Sequence, residues 1–135
     1  MRTTTAMLAD AASVESGKIF VHGGGWDTIY AAAIPTTHPT MALVLIFQIN
    51  YDEALSDIPI VIELLDEDDK PLELRVEGKI SAGHPPRLQR GAPTFHPLAL
   101  TFNMLTFDHE GSYRFKVTSG DDLLASIPLR VRAAG

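Results

Sequence analysis

Residues 58–80 read IPIVIELLDEDDKPLELRVEGKI, and the alternation within them decides the fold. Leu72, Leu74, Val76 and Ile80 alternate with Glu73, Arg75, Glu77 and Lys79. Successive side chains of a strand point to opposite faces, so this pattern gives one apolar and one charged face. Upstream, Ile58, Ile60, Ile62 and Leu64 share a face, and Glu63 lies on the other with Val61 and Leu65. Between the two arms stand Asp66, Glu67, Asp68 and Asp69, then Lys70 and Pro71. The stretch therefore reads as a β-hairpin. Keeping both apolar faces on one side leaves two neighbouring registers. One sets Glu63 opposite Arg75, the other opposite Glu73. Opposite charges across a strand pair attract and like charges repel, which favours Glu63 with Arg75 and a loop from Glu67 to Pro71.

The same signals recur on either side. Thr3 to Ala12 reads as a strand, Glu15-Ser16-Gly17 as a hairpin turn and Lys18 to His22 as the returning strand. Gly23-Gly24-Gly25 breaks the pleat as a bulge or close backbone crossing. Trp26 to Ile34 reads as extended, and Pro35 to Pro39 as a loop. Thr40 to Asn50 is apolar on both faces over its first half, as in a central strand covered on both sides, either by its own chain or by a second subunit. Tyr51 to Pro59 reads as a short polar connection with a turn of helix. Ser81 to Pro97 contains Pro85, Pro86, Pro93 and Pro97 with two glycines, and reads as an irregular loop. Leu98 to Phe107 is a further strand. A closing hairpin follows, with Tyr113, Phe115 and Val117 on one arm and Leu123, Ala125, Ile127, Leu129 and Val131 on the other. Pro128 falls on the outer parity of the last strand, which suggests an edge. Seven to nine strands with closely spaced turns and no long helix predict a single all-β domain over residues 1–135. The expected form is an antiparallel β-sandwich, immunoglobulin-like or related, with a closed barrel as the alternative.

A chain of 135 residues with 45% hydrophobic residues can bury a core without metal or disulfide staples. The formal net charge is −6, with eleven Lys and Arg. That balance argues against binding nucleic acid or anionic membranes, both of which reward basic surfaces. No cysteine is present, so disulfides and thiol catalysis are excluded. The longest apolar run, Met41 to Phe47, is far short of the ~20 residues a membrane-spanning helix needs. The opening segment is interrupted by Asp10 and Glu15 and does not read as a secretory signal. The expectation is a cytoplasmic protein.

Leu8-Ala9-Asp10-Ala11-Ala12, Gly17-Lys18 and Gly23-Gly24-Gly25-Trp26 form an opening pattern. With the turn Leu65 to Asp68 and the closing Gly111, Tyr113 and Phe115, the chain resembles a family of small bacterial proteins that carry a domain of unknown function. The resemblance spans most of the chain. It implies a β-sandwich and a bacterial source, and it transfers no activity and no catalytic residue.

Three constellations bear on function. Asp66, Asp68 and Asp69 could serve Ca²⁺, a hard cation that takes several oxygens, but the spacing lacks an EF-hand's glycine and distal glutamate. A solvated turn built on Asp is the preferred reading. The five histidines show no short metal-ligand spacing. His22 and the glycine run lack both the nucleophile elbow of a hydrolase and the Lys-Ser/Thr of a phosphate loop. The 81–97 segment concentrates His84, Arg87, Arg90, Phe95 and His96 on an otherwise acidic chain, and Arg and aromatic residues dominate interface hot spots. The expectation is a non-catalytic protein-interaction or assembly module with no cofactor, acting on a partner protein or its own copy. The alternative is a small-ligand or carbohydrate-binding sandwich with Trp26, Tyr30 or Tyr51 as a stacking platform.

Overall fold

The computed structural model describes residues 1–134. Nine strands follow one another: β1 (Arg2–Glu15), β2 (Lys18–Trp26), β3 (Thr28–Ala31), β4 (Thr36–Ile49), β5 (Ile58–Leu65), β6 (Pro71–Ile80), β7 (Thr94–Phe107), β8 (Gly111–Ser119) and β9 (Asp122–Ala133). They form two stacked sheets, of order β2-β1-β4-β7 and β3-β9-β8-β5-β6. All pairings are antiparallel except β3 with β9, which is parallel. The β-sandwich is therefore as the strand pattern predicts, and its sheets remain separate rather than closing into a barrel.

The β5–β6 hairpin has the register that charge pairing favours. Glu63 lies opposite Arg75, whose Nη1 is 3.2 Å from Glu63 Oε2. The loop is displaced by one residue. A bulge lets Leu65 pair with Pro71, so the loop runs from Asp66 to Lys70. The displacement follows from Asp66, whose side chain accepts bonds from the amides of Asp68 and Lys70 and closes the turn itself.

The β1–β2 hairpin closes on two residues. Ser16 and Gly17 have φ of 51° and 73°, the positive pair of a type I′ turn. The glycine run does not end β2. Gly25, at φ 89°, forms a bulge between the pairs Ala9–Gly24 and Leu8–Trp26, and the strand continues. Pro39 lies inside β4 rather than in a loop. β1 pairs β4 only as far as Ala42, so beside Pro39 no β1 residue asks for an N–H. The connection is instead Ala32 to Pro35. Pro128 follows the same logic: β3 pairs β9 only from Arg130 onward, leaving that side of Pro128 free.

Between the sheets, Phe47, Phe107 and Phe115 are fully buried with Leu8, Met41, Leu43, Leu45 and Ile49. Phe102 stacks on Phe115 with ring centres 5.5 Å apart, and Tyr113 meets Phe107 edge-on at 5.0 Å. The second face of β4 is covered by its own chain. Ala9, Ala42 and Val44 form a small buried cluster under Met7, Ala12, Ile19 and Val21 of the β1–β2 hairpin. No second subunit is needed there.

Phe115 lies at the centre of the main core. Phe115→Ala is expected to lower the unfolding free energy by about 3–5 kcal/mol, through lost transfer energy and the cavity left behind. Urea denaturation monitored by circular dichroism checks it.

Candidate interaction surface at the open side of the sandwich

Strands β6 and β7 end their respective sheets, and each has one neighbour only. Both lie on the same side of the sandwich, where the space between the sheets opens to solvent. A groove of about 890 Å³ runs there, with Leu64, Leu72, Leu74 and Phe102 among its lining and Glu73 and Asp108 at its margin. A smaller apolar cavity of about 110 Å³ continues it between Ile62, Val76, Leu98 and Leu100. The inward residues Leu72, Leu74, Val76, Leu98 and Leu100 are only half-buried, because no strand closes the gap above them.

The two edges differ in chemistry. β6 turns Glu73, Arg75, Glu77 and Lys79 outward, and charged side chains guard an edge against strand addition. β7 reads TFHPLALTFNMLTF, fourteen residues without one Asp, Glu, Lys or Arg. Thr101 and Asn103 are exposed, and Met104 is 67% exposed. Pro97 pairs with Ile46 without breaking the β4–β7 ladder. Its nitrogen must then face away from β4, and so must the N–H groups of Ala99 and Thr101, which share its parity. Met104 has φ +57°, a left-handed conformation that interrupts the edge opposite Pro39.

The 81–97 segment is less irregular than its prolines suggest. Thr94 to Pro97 already belong to β7. The remainder is tied to the connection after β4. The Gly83 N–H donates to Ala54 O at 2.8 Å, His84 Nε2 donates to Tyr51 O at 2.7 Å, and the His84 ring stacks on Tyr51 at 3.8 Å. Arg87 and Arg90 are exposed, and among the described residues neither is ion-paired. Phe95 and His96 take opposite faces of β7. Phe95, opposite Gln48, is 59% exposed on the outer face, and His96, opposite the buried Phe47, points inward. Burial holds the His96 pKa below 6.5. Of the five loop candidates, only Arg87, Arg90 and Phe95 are freely presented.

Trp26, Tyr30 and Tyr51 do not make one platform. Trp26 packs against the core beside His38, with ring centres 6.1 Å apart, because its pairing with Leu8 brings it over the buried strand. Tyr30 is exposed on the short β3, and Tyr51 follows the far end of β4, covered by His84.

The acidic loop is engaged in holding the hairpin tip. Asp66 closes its own turn, Glu67 accepts the Ser112 N–H at 2.7 Å, and Asp69 pairs with Arg114 at 3.0 Å. Among the described residues no three His, Asp or Glu side chains gather as a metal would require.

Sequence reasoning missed the β7 edge. The signal available was the uncharged run from Thr94 to Phe107. Its meaning depends on strand order, which brings β7 to the end of a sheet.

Residues 4–132 match the family of unknown function DUF6941, and the chain belongs to that family. No curated protein matches the sequence. Among the described residues no helix is long and apolar enough to cross a membrane.

Asp66→Ala is expected to cost about 1–2 kcal/mol, because two loop amides lose their acceptor. Asp68→Ala should stay within about 0.5 kcal/mol, since its side chain makes no such bond. Parallel urea titrations of the two variants separate them. For His96, the unfolded chain takes up a proton more readily than the folded one. Its contribution is therefore fully present above pH 6.5 and is lost as pH falls through the lowered folded value. The stability difference between the wild type and His96→Gln should accordingly shrink as urea titrations move from about pH 7.5 towards 5.5.

Proposed function

We propose that this sandwich is a non-catalytic protein-interaction module that engages its partner along the open side between β6 and β7. One observation carries the reading: β7 is a fourteen-residue strand, free on one side and without a charged residue, beside a groove with an apolar floor. Edge strands of single chains are ordinarily short, charged, bulged or covered, since an unguarded edge offers its N–H and C=O groups to any passing strand. An added strand would satisfy those groups and close water out from Leu72, Leu74, Leu98 and Leu100. The groove walls carry Thr, Asn, Met and Leu with single carboxylates, which suits recognition of an extended backbone better than acid–base chemistry. A bacterial cytoplasm is the setting proposed, on the likeness of the opening motif to small bacterial proteins.

Untagged protein isolated gently from its source should emerge as an assembly, either of this chain or with a stoichiometric companion. The amides of Ala99 and Thr101 should exchange more slowly in that assembly than in the dilute purified domain. Native mass spectrometry and hydrogen exchange give both readouts. A lone monomer whose β7 amides exchange freely would overturn the proposal.

A further inference from the structure

We infer that the occupant of the β7 edge is a second copy of this chain, paired antiparallel through β7 about a two-fold axis. The inference rests on the reading of the open side as an interaction surface. Four features of the edge make it self-complementary.

The first is the absence of charge. Although each chain carries a net charge of −6, the strand itself contributes none, so two copies meet there without like charges opposed. The second is parity. A register centred on Thr101 keeps the inner faces of both copies on one side. It sets Leu100 opposite Phe102 and Ala99 opposite Asn103, and it aligns the outward N–H and C=O groups of Thr101 with those of its counterpart. The half-buried Leu98 and Leu100 of one copy then extend the apolar layer of the other.

The third is charge at the ends of the strand. The exposed, unpaired Arg87 and Arg90 precede β7, whereas Asp108 and Glu110 follow it. Antiparallel pairing brings the basic end of one strand beside the acidic end of its copy, twice over by symmetry. The fourth is closure. Pro97 and the left-handed Met104 bracket the segment that can pair. The other terminal strands are guarded by the charges of β6, the four-residue length of β3 and the glycine bulge of β2. One self-complementary edge per chain yields a closed dimer rather than a fibre.

The test is sedimentation equilibrium of the untagged purified chain from about 1 to 100 µM, a range that spans weak homodimers. The wild type should dimerise. Thr101→Pro removes only an outward N–H and should be monomeric with an unchanged circular dichroism spectrum. Arg87→Glu with Arg90→Glu alters exposed loop residues alone and should weaken the dimer about tenfold or more. Asp108→Lys added to that pair should restore it. A wild type that stays monomeric throughout, or a dimer indifferent to the charge reversal, overturns the inference. If Thr101→Pro does not fold, the charge-reversal series decides alone. Should the purified chain be monomeric while material from its source holds a different protein against β7, the interaction surface stands and only its occupant is wrong.

Discussion

Everything in this fold depends on β4 being buried on both faces. Met41, Leu43 and Leu45 look into the main core, and Ala42 and Val44 look out of the sandwich into a second, smaller cluster. A strand in the middle of a two-layer sandwich ordinarily has one covered face. Here the second is covered by the β1–β2 hairpin, whose Ile19 and Val21 pack back onto the sheet. The bulge at Gly25 and the small residues Ala9, Ala12 and Ala42 let the hairpin approach that closely. The hairpin is therefore held by packing against this outer cluster as well as by its pairing.

The opposite side is built differently. Within the five-stranded sheet, Glu67 and Asp69 at the tip of β5–β6 reach β8, and between the two sheets, at the start of β1, Thr3 donates to Leu124 O at 2.7 Å. Among the described residues no side-chain hydrogen bond or ion pair joins β6 to β7. The apolar residues between them stay half-buried, and the edge above them lacks the charges that most solvent-facing edges carry. The molecule thus joins a doubly covered centre to an open, uncharged margin.

Much of this was legible in the sequence wherever neighbours along the chain decide the outcome. Glu63 could face Arg75 or Glu73, and charge selects the former. Ser16-Gly17 announces its turn, and the glycine run announces a bulge. Legibility failed where distant strands decide. Pro39 reads as a loop residue until β1 is seen to stop short of it. Trp26 reads as a free aromatic until Leu8 is seen opposite. The Arg-rich loop stood out by composition, and Arg87 and Arg90 are indeed exposed. The strand following it, Leu98 to Phe107, reads like any core strand. That it ends a sheet is a property of strand order, and no local pattern encodes strand order.

The pairing of β4 with β7 also has a kinetic side. Thr36 meets Phe107 and Ile49 meets Thr94 only after the whole β5–β6 hairpin has been made between them. β1–β2, β5–β6 and β8–β9 are local hairpins that close early, whereas this ladder carries the cost of a long loop before it gains anything. Until β7 arrives, β4 stands with an apolar face unmatched on one side, and β7 itself enters the sheet with no charge to discourage a wrong neighbour. The most exposed moment in the life of this chain is thus the interval between synthesis of Ile49 and docking of Thr94, when the strand at its centre is still waiting for the strand at its margin.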